Sequence, residues 1–559
     1  MSDRLSVALI WHLHQPLYRE LASGRCHLPW VRLHGVRAYH DMPDLLGAYP
    51  TLKATFNLVP VLLSQLELYV EHGASDDYLE HARIPADALD PDQRVFLLTH
   101  FFKCQHERML KPLPAYARLL ERRGPDLDPQ SLRAAAQRFT TAELRDLQVL
   151  FNLVWFGPRA LRRFPELAEL RHKGAGFTEA DKQRVLVLQR EVLGRVIPLY
   201  RRAADSGQAE LSSSPFYHPI LPLLIDSDCA ARARPDAPLP LRFAYPSDAG
   251  TQVRRALESH RRRFGRRARG LWPSEGSVSP EAAELCAAAG VDWIASDEGV
   301  LQRSLEGYQR DRDLYRPWRF EPPSGAVHLF FRDHELSDRI GFVYARHPPI
   351  DAAADLIARL EHKADTLAPG SLVAIILDGE NPWEHYLDGG EPFLQALYQG
   401  FERSRKLRTV TPAEFLAEQP RIDPLPALHS GSWIDADFGV WIGSRHENRA
   451  WELLGRARRW LEQQAEGLPS EPRSAAFEAL YAAEGSDWFW WFGERFSSSD
   501  DGEYDRLFRQ HLGQVYRAAG APVPEDLRRP VQEPSAVRPA PTVGPMSPAE
   551  TTTESMQPE

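Results

Sequence analysis

Short apolar runs separated by helical stretches recur along most of this chain, and each run ends in polar residues. Leu5 to Trp11 reads as a buried strand that empties into His12-Leu-His-Gln-Pro16. Leu52–Leu58 reads as a second, followed by a helix from Pro60 to about His72. The pattern resumes at Gln208-Ala-Glu-Leu-Ser-Ser-Ser-Pro215. It continues through Gly270-Leu-Trp, Val291–Ser296, Val327–Arg332 and Leu372–Leu377, with a weaker element at Leu241–Ala244. Helical stretches such as Pro280–Ala289 and Ile350–Thr366 separate several of these runs. Such alternation predicts a parallel α/β architecture. Polar residues at successive strand exits predict a barrel with its chemistry at those exits.

The remaining segments set the domain organisation. From about 76 to 204 the pattern is helical, a long insertion packed on the main fold. After Arg408 it turns helical again, so the expected organisation is a barrel domain over 1–408 and a helical domain over 409–530. Residues 531–559, rich in Pro, Ser, Thr and Glu, read as a disordered tail. The 559 residues allow this division. A net charge of -10, from 67 basic and 77 acidic residues, gives no global field for nucleic acid. The basic run Arg261–Arg269 fits a helix end entering a strand. Four scattered cysteines without CxxC spacing suggest neither zinc ribbon nor disulfide scaffold and fit a reducing compartment. No stretch has the apolar length of a signal peptide or membrane span, so the expected location is cytoplasmic.

Two exits concentrate carboxylates beside tryptophan. In Gly270-Leu-Trp-Pro-Ser-Glu-Gly276, Pro273 and Gly276 place Glu275 on a tight turn next to Trp272, and Ser279-Pro280 opens a helix as N-cap and first residue. In Ile375-Ile-Leu-Asp-Gly-Glu-Asn-Pro-Trp-Glu-His385, an apolar strand delivers Asp378, and Glu380, Trp383, Glu384 and His385 crowd behind it. Crowding and burial raise carboxyl pKa values, as a general acid near neutrality requires. Paired carboxylates beside stacking surfaces match glycoside cleavage, where one acid protonates the leaving oxygen and the other attacks or activates water. Solvated acidic loops are the alternative.

The histidines admit two readings. Alternation puts His12 and His14 on one face, and with His218 and Asp378 they supply a His/Asp donor set for a metal. The preferred reading makes them hydrogen-bonding partners of sugar hydroxyls. His218 reads equally as a packed, satisfied histidine, and Arg332–Asp338 as a structural ion-pair segment.

Taken in order, His14-Gln-Pro, Gln208-Ala-Glu-Leu with Ser214-Pro-Phe-Tyr-His-Pro219, Gly270–Glu275, Arg332–Asp338 and Leu377–His385 resemble glycoside hydrolase family 57, especially its amylopullulanase-like branch. The resemblance covers roughly residues 5 to 400, with further similarity at Gly431-Ser-Trp-Ile and Glu484-Gly-Ser-Asp-Trp. It implies an incomplete seven-stranded (β/α) barrel followed by a helical domain, and a retaining mechanism on α-glucans at α-1,4 linkages, with α-1,6 as a further option. By motif position Glu275 is the expected nucleophile and Asp378 the general acid/base. His14, Glu210, Trp272 and Trp383 are expected to line the cleft, with His12, His218 and His385 as further substrate contacts. The expected partner is an α-glucan poly- or oligosaccharide, with no cofactor or metal, nucleic acid or membrane. A glucan transferase, a metal-dependent carbohydrate enzyme and an inactive glycan-binding protein stand as alternatives.

Overall fold

The computed structural model describes residues 4–418 and 422–532. Apart from its first two residues, the expected tail over 531–559 lies outside the described residues. Seven parallel strands form the centre: β1 Leu5–Leu13, β2 Ala54–Leu58, β3 Ala209–Ser212, β4 Gly270–Leu271, β5 Trp293–Asp297, β6 Val327–Arg332 and β7 Leu372–Asp378. They follow one another in chain order around the barrel, and β7 returns to pair with β1 from Ser6↔Leu372 to His12↔Asp378. Between β3 and β4 the barrel closes through one bridge. Ser213 N–H donates to Gly270 O at 3.3 Å and Trp272 N–H to Ser213 O at 2.8 Å. Three short strands add to the sheet: Trp318–Phe320 runs antiparallel to β6, Leu407–Thr409 pairs with β1, and Asp423–Pro424 extends the edge. Leu241–Ala244, expected as a weak strand, has no regular structure. Its Phe243 instead exchanges hydrogen bonds with Ser227, which satisfies both backbone groups locally.

Strand alternation divides the apolar residues into two cores. Val7, Leu9 and Trp11 of β1 and Val373, Ile375 and Leu377 of β7 face the surrounding helices. Ala8 and Ile10, and Leu372, Ala374 and Ile376, face inward with Trp272, Trp293, Ala295 and Phe330, closed below by Val410 and Phe415. Gly270 is required here, because a Cβ on it would lie 2.0 Å from the Trp293 ring. Continuing the inward parity upward places His12, Asn57, Ser212, Arg332 and Asp378 at the mouth. The apolar interior thus ends in a polar layer.

The insertion between β2 and β3 is helical and ends in the long helix Glu179–Asp205. A buried knot ties it down: Arg32 pairs with Asp76 at 2.8 Å and donates to Asn152 and Gln189. Helices Arg445–Gln464, Ser470–Ala483, Ser486–Phe492 and Asp501–Ala518 complete the C-terminal region. All four cysteines are buried and unpaired. Among the described residues, no helix is long and apolar enough to cross a membrane.

Candidate active site

A cavity of about 100 Å³ opens at the C-terminal ends of the strands, lined among others by His12, His14, His218, Glu275, Asp378 and Glu380. Its remaining wall comes from the C-terminal region: Trp433, Asp487, Trp490, Trp491 and Tyr504.

Glu275 occupies a short turn at Ser274–Gly276 with φ 58°, ψ 25°, in the left-handed region that side chains other than glycine rarely adopt. His218 has the same φ of 58°. Two strained residues facing one cavity fit the rule that such conformations persist where surrounding structure holds them for function. Trp433 holds Glu275 twice: its backbone N–H donates to Glu275 O and its Nε1–H to Oε2, both at 3.0 Å. Ser486 Oγ donates to Glu275 Oε1 at 3.4 Å and lies 3.0 Å from His218 Nδ1. Burial, then repulsion from Asp378 and Asp487, pushes the Glu275 carboxyl up to about 8 against the pull of these donors. Burial also raises Asp378, opposed by a 2.8 Å hydrogen bond from Asn381 and by the positive fields of His14 and Arg332. Glu380, buried, accepts from His14 N–H at 3.2 Å and lies well above the usual carboxyl range, first through burial and then through Asp378. So many desolvated acids share fewer charges than carboxyls, and they titrate together.

The imidazoles form a stack. Ring centroids are 4.0 Å apart for His14–His218, 5.0 Å for His12–His218 and 6.0 Å for His12–His14. Burial, then repulsion from the neighbouring rings, lowers His12 to about 3 and holds His218 well below its ordinary value, so both are neutral. His12 Nδ1 meets Asn57 Oδ1 at 2.8 Å, and Asn57 also bonds Ser212 and Ser214, inward residues at the end of β3. His14 Nε2 lies 2.9 Å from both oxygens of Asp487. A ring nitrogen of His14, one of His218 and a carboxylate oxygen of Asp487 lie within 4.8 Å of one another. The donor set expected from the sequence was His12, His14, His218 and Asp378; His12 and Asp378 are not part of this cluster, and Asp487 is.

Four expected cleft residues lie elsewhere. Glu210 faces inward but one layer below Ser212, where it accepts from Trp293 Nε1 at 2.8 Å and from Ala413 N at 2.9 Å, at the far end of the barrel from the mouth. Trp272 is fully buried against His12 and Trp433, so it supports the cavity floor without offering a stacking face. Trp383 turns outward onto Trp11, Tyr386 and Phe393 and donates to Gly379 O at 2.9 Å, because the chain bends at Gly379 after Asp378. His385 lies outside the cavity, its carbonyl accepting from Arg108. The aromatic residues that line the cavity are Tyr18, from the segment after β1, and Trp433, Trp490, Trp491 and Tyr504 of the C-terminal region. Arg332 forms the expected ion pair with Asp338 and a further one with Asp297 at 3.2 Å, and donates to Ile376 O at 2.7 Å, two residues before Asp378.

Seven parallel strands that carry carboxylates and imidazoles to one mouth define a (β/α)-barrel with an enzyme-type site. The chain belongs to glycosyl hydrolase family 57, whose family model matches residues 8–424. Among solved structures it is similar to the GH57-type branching enzyme from Pyrococcus horikoshii, with 16% identity, a TM-score of 0.58 and coverage of 97% of this chain and 100% of that one. It is also similar to the α-amylase AmyC from Thermotoga maritima, with 13% identity, a TM-score of 0.57 and coverage of 92% and 93%. The 4-α-glucanotransferase from Thermococcus litoralis matches with 15% identity, a TM-score of 0.52 and coverage of 92% and 60%. At these identities the likeness is one of fold. No curated protein matches the sequence.

Proposed function

We propose that this protein is a retaining α-glucan-active enzyme in which Glu275 is the nucleophile and Asp378 the general acid/base. The observation that carries the reading is that these two carboxyls, delivered by different strand exits, line one small cavity. Family membership supports the substrate class. Glu275 attacks the anomeric carbon and forms a glycosyl ester, while Asp378 gives its proton to the departing glycosidic oxygen. Asp378 then takes the proton of the incoming water or sugar hydroxyl as that oxygen displaces Glu275 and restores the starting configuration. A proton on Asp378 removes its repulsion of Glu275, and the Trp433 and Ser486 donors then favour the Glu275 anion. In this reading His12, His14 and His218, which line the same cavity, bond the sugar. The aromatic wall of Trp490, Trp491 and Tyr504 suits a sugar as well as water as acceptor, which keeps chain transfer beside hydrolysis as the second reading.

The test is Asp378→Asn on an activated aryl α-maltooligoside. A good leaving group needs little protonation, so the first step survives and the second slows, giving a burst followed by slow turnover. Azide, a nucleophile that needs no base, is expected to speed the slow phase and yield a glycosyl azide of retained configuration. The absence of both the burst and the azide product would sink the assignment. Product analysis of the parent on maltooligosaccharides, amylose and pullulan separates hydrolysis, debranching and transfer.

A further inference from the structure

Besides the two carboxylates, the wall of the cavity groups three side chains of metal-ligand type. His14 projects from the end of β1, His218 from the turn after β3, and Asp487 from the helix Ser486–Phe492 of the C-terminal region. One nitrogen of each imidazole and one oxygen of Asp487 fall within 4.8 Å of one another. His218 is 1% exposed, and its Nε2 is buried with no hydrogen-bond partner among the described residues. The Ser486 hydroxyl explains that vacancy in bonding. It donates to Glu275 Oε1, so it can only accept at His218, which puts the His218 proton on Nδ1 and leaves a lone pair on Nε2. A buried lone pair without a donor costs on the order of 1–3 kcal/mol unless something fills it.

We propose that His14, His218 and Asp487 bind a zinc-class divalent cation in the cavity wall, and that cation and sugar exclude one another there. Two neutral imidazoles and one carboxylate are the ligands that zinc takes at open sites, whereas calcium and magnesium demand oxygen donors. His14 Nε2 and Asp487 are already 2.9 Å apart. Zinc bonds of about 2.1 Å set donor separations near 3.5 Å, so the His14–Asp487 pair opens by about 0.6 Å and the His218 side closes by at most about 1.3 Å. As the cation enters, His14 Nε2 gives up the hydrogen it shares with Asp487 and the neutral ring carries its one proton on Nδ1, so that Nε2 offers its lone pair and the fourth coordination position is left to the cavity. The exclusion clause rests on the proposed function, because it assumes that sugar occupies the same cavity. The binding clause does not.

The experiment titrates ZnCl2 into the metal-stripped full chain by calorimetry. One zinc per chain is expected, with His14→Ala and Asp487→Asn each weakening binding at least about tenfold. CoCl2 is expected to give the intense visible absorption of a four- or five-coordinate site, and CaCl2 and MgCl2 are expected not to compete. Maltooligosaccharide is expected to displace zinc. Substoichiometric zinc, or binding that both variants leave unchanged, overturns the site. If the variants fail to fold by circular dichroism, the cobalt spectrum of the parent decides, and a pale octahedral spectrum overturns it. Zinc that sugar does not displace overturns the exclusion. A parent that binds one zinc yet turns over no glucan overturns the proposed function and leaves the site standing.

Discussion

Trp433 fixes both the backbone and the carboxylate of Glu275, which suits a residue held at an unfavourable φ. A hydrogen bond to a charged group in a desolvated site contributes about 1.5–3 kcal/mol. Trp433→Phe keeps the backbone bond and most of the aromatic wall but deletes the Nε1–H. The expected result is a fall in kcat of roughly ten- to a hundredfold with an unchanged melting temperature. An unaltered kcat would show that the indole only packs. Much of this neighbourhood is legible in the sequence. His12, His14 and Asp378 sit at the ends of apolar strands, where parity alone predicts which side chains share the barrel mouth. Asp487 is not legible in that way, since it meets His14 across 473 residues, and its Ser-Asp-Trp context reads as an ordinary helix start. Glu210 misleads for a different reason. Parity gives its face correctly, while its height along the barrel depends on where β3 starts in register, at Ala54↔Ala209.

At the scale of elements, the helix Ser486–Phe492 that carries Asp487 is held from behind by Arg445–Gln464, through Trp451 stacked on Phe489 at 4.5 Å. That supporting helix opens with a capping box in which Ser444 Oγ accepts from Glu447 N and the Glu447 carboxyl accepts from Ser444 N at 2.9 Å. Glu447 is 1% exposed, and burial pushes its carboxyl up to about 7. With the folded value above the ordinary 4.5, the native state binds this proton more tightly, so stability is lost as pH rises from about 4.5 through about 7. Glu447→Gln keeps an oxygen for the cap and removes the charge. The variant is expected to gain up to about 3 kcal/mol over the parent at pH 8 and almost nothing near pH 4. Chemical denaturation at both values checks this, and equal gains at the two pH values would refute it. The helix start at Ser279 was readable from its cap, which accepts the Ala282 N–H, and Thr411 and Ser444 cap their helices in the same way. The short strands Trp318–Phe320 and Leu407–Thr409 were not readable, because three residues are too few for a period to register.

For the whole molecule, the question is whether the helical region after Arg408 is a separable unit. Its contacts argue that barrel and helical region complete one another. Val410 and Phe415 close the barrel interior from below, within the same apolar cluster as Ile10 and Ile376. Gly431 and Val278 exchange backbone hydrogen bonds at 2.8 and 3.0 Å beside the Glu275 turn, and Ser486 N–H donates to His218 O at 2.9 Å. Buried charge crosses the boundary as well: Arg458 pairs with Asp248 at 2.6 Å, and Gln252 donates to Glu484 at 2.8 Å. A barrel cut off at 409 would lose its lower apolar plug and open its interior, leave Asp248 buried without its cation, and lose Trp433, Ser486 and Asp487 from the cavity. Breaking a buried pair by removing one partner costs about 3–5 kcal/mol, a large part of the stability of a typical domain. Deletion of residues 410–559 is therefore expected to abolish soluble, active protein. Adding the missing segment back as a separate chain is expected to restore turnover only if the two associate, which gel filtration of the mixture would reveal. A fragment ending at 409 that stays soluble and retains full activity would show that the barrel holds its site alone, and the composite reading would fall.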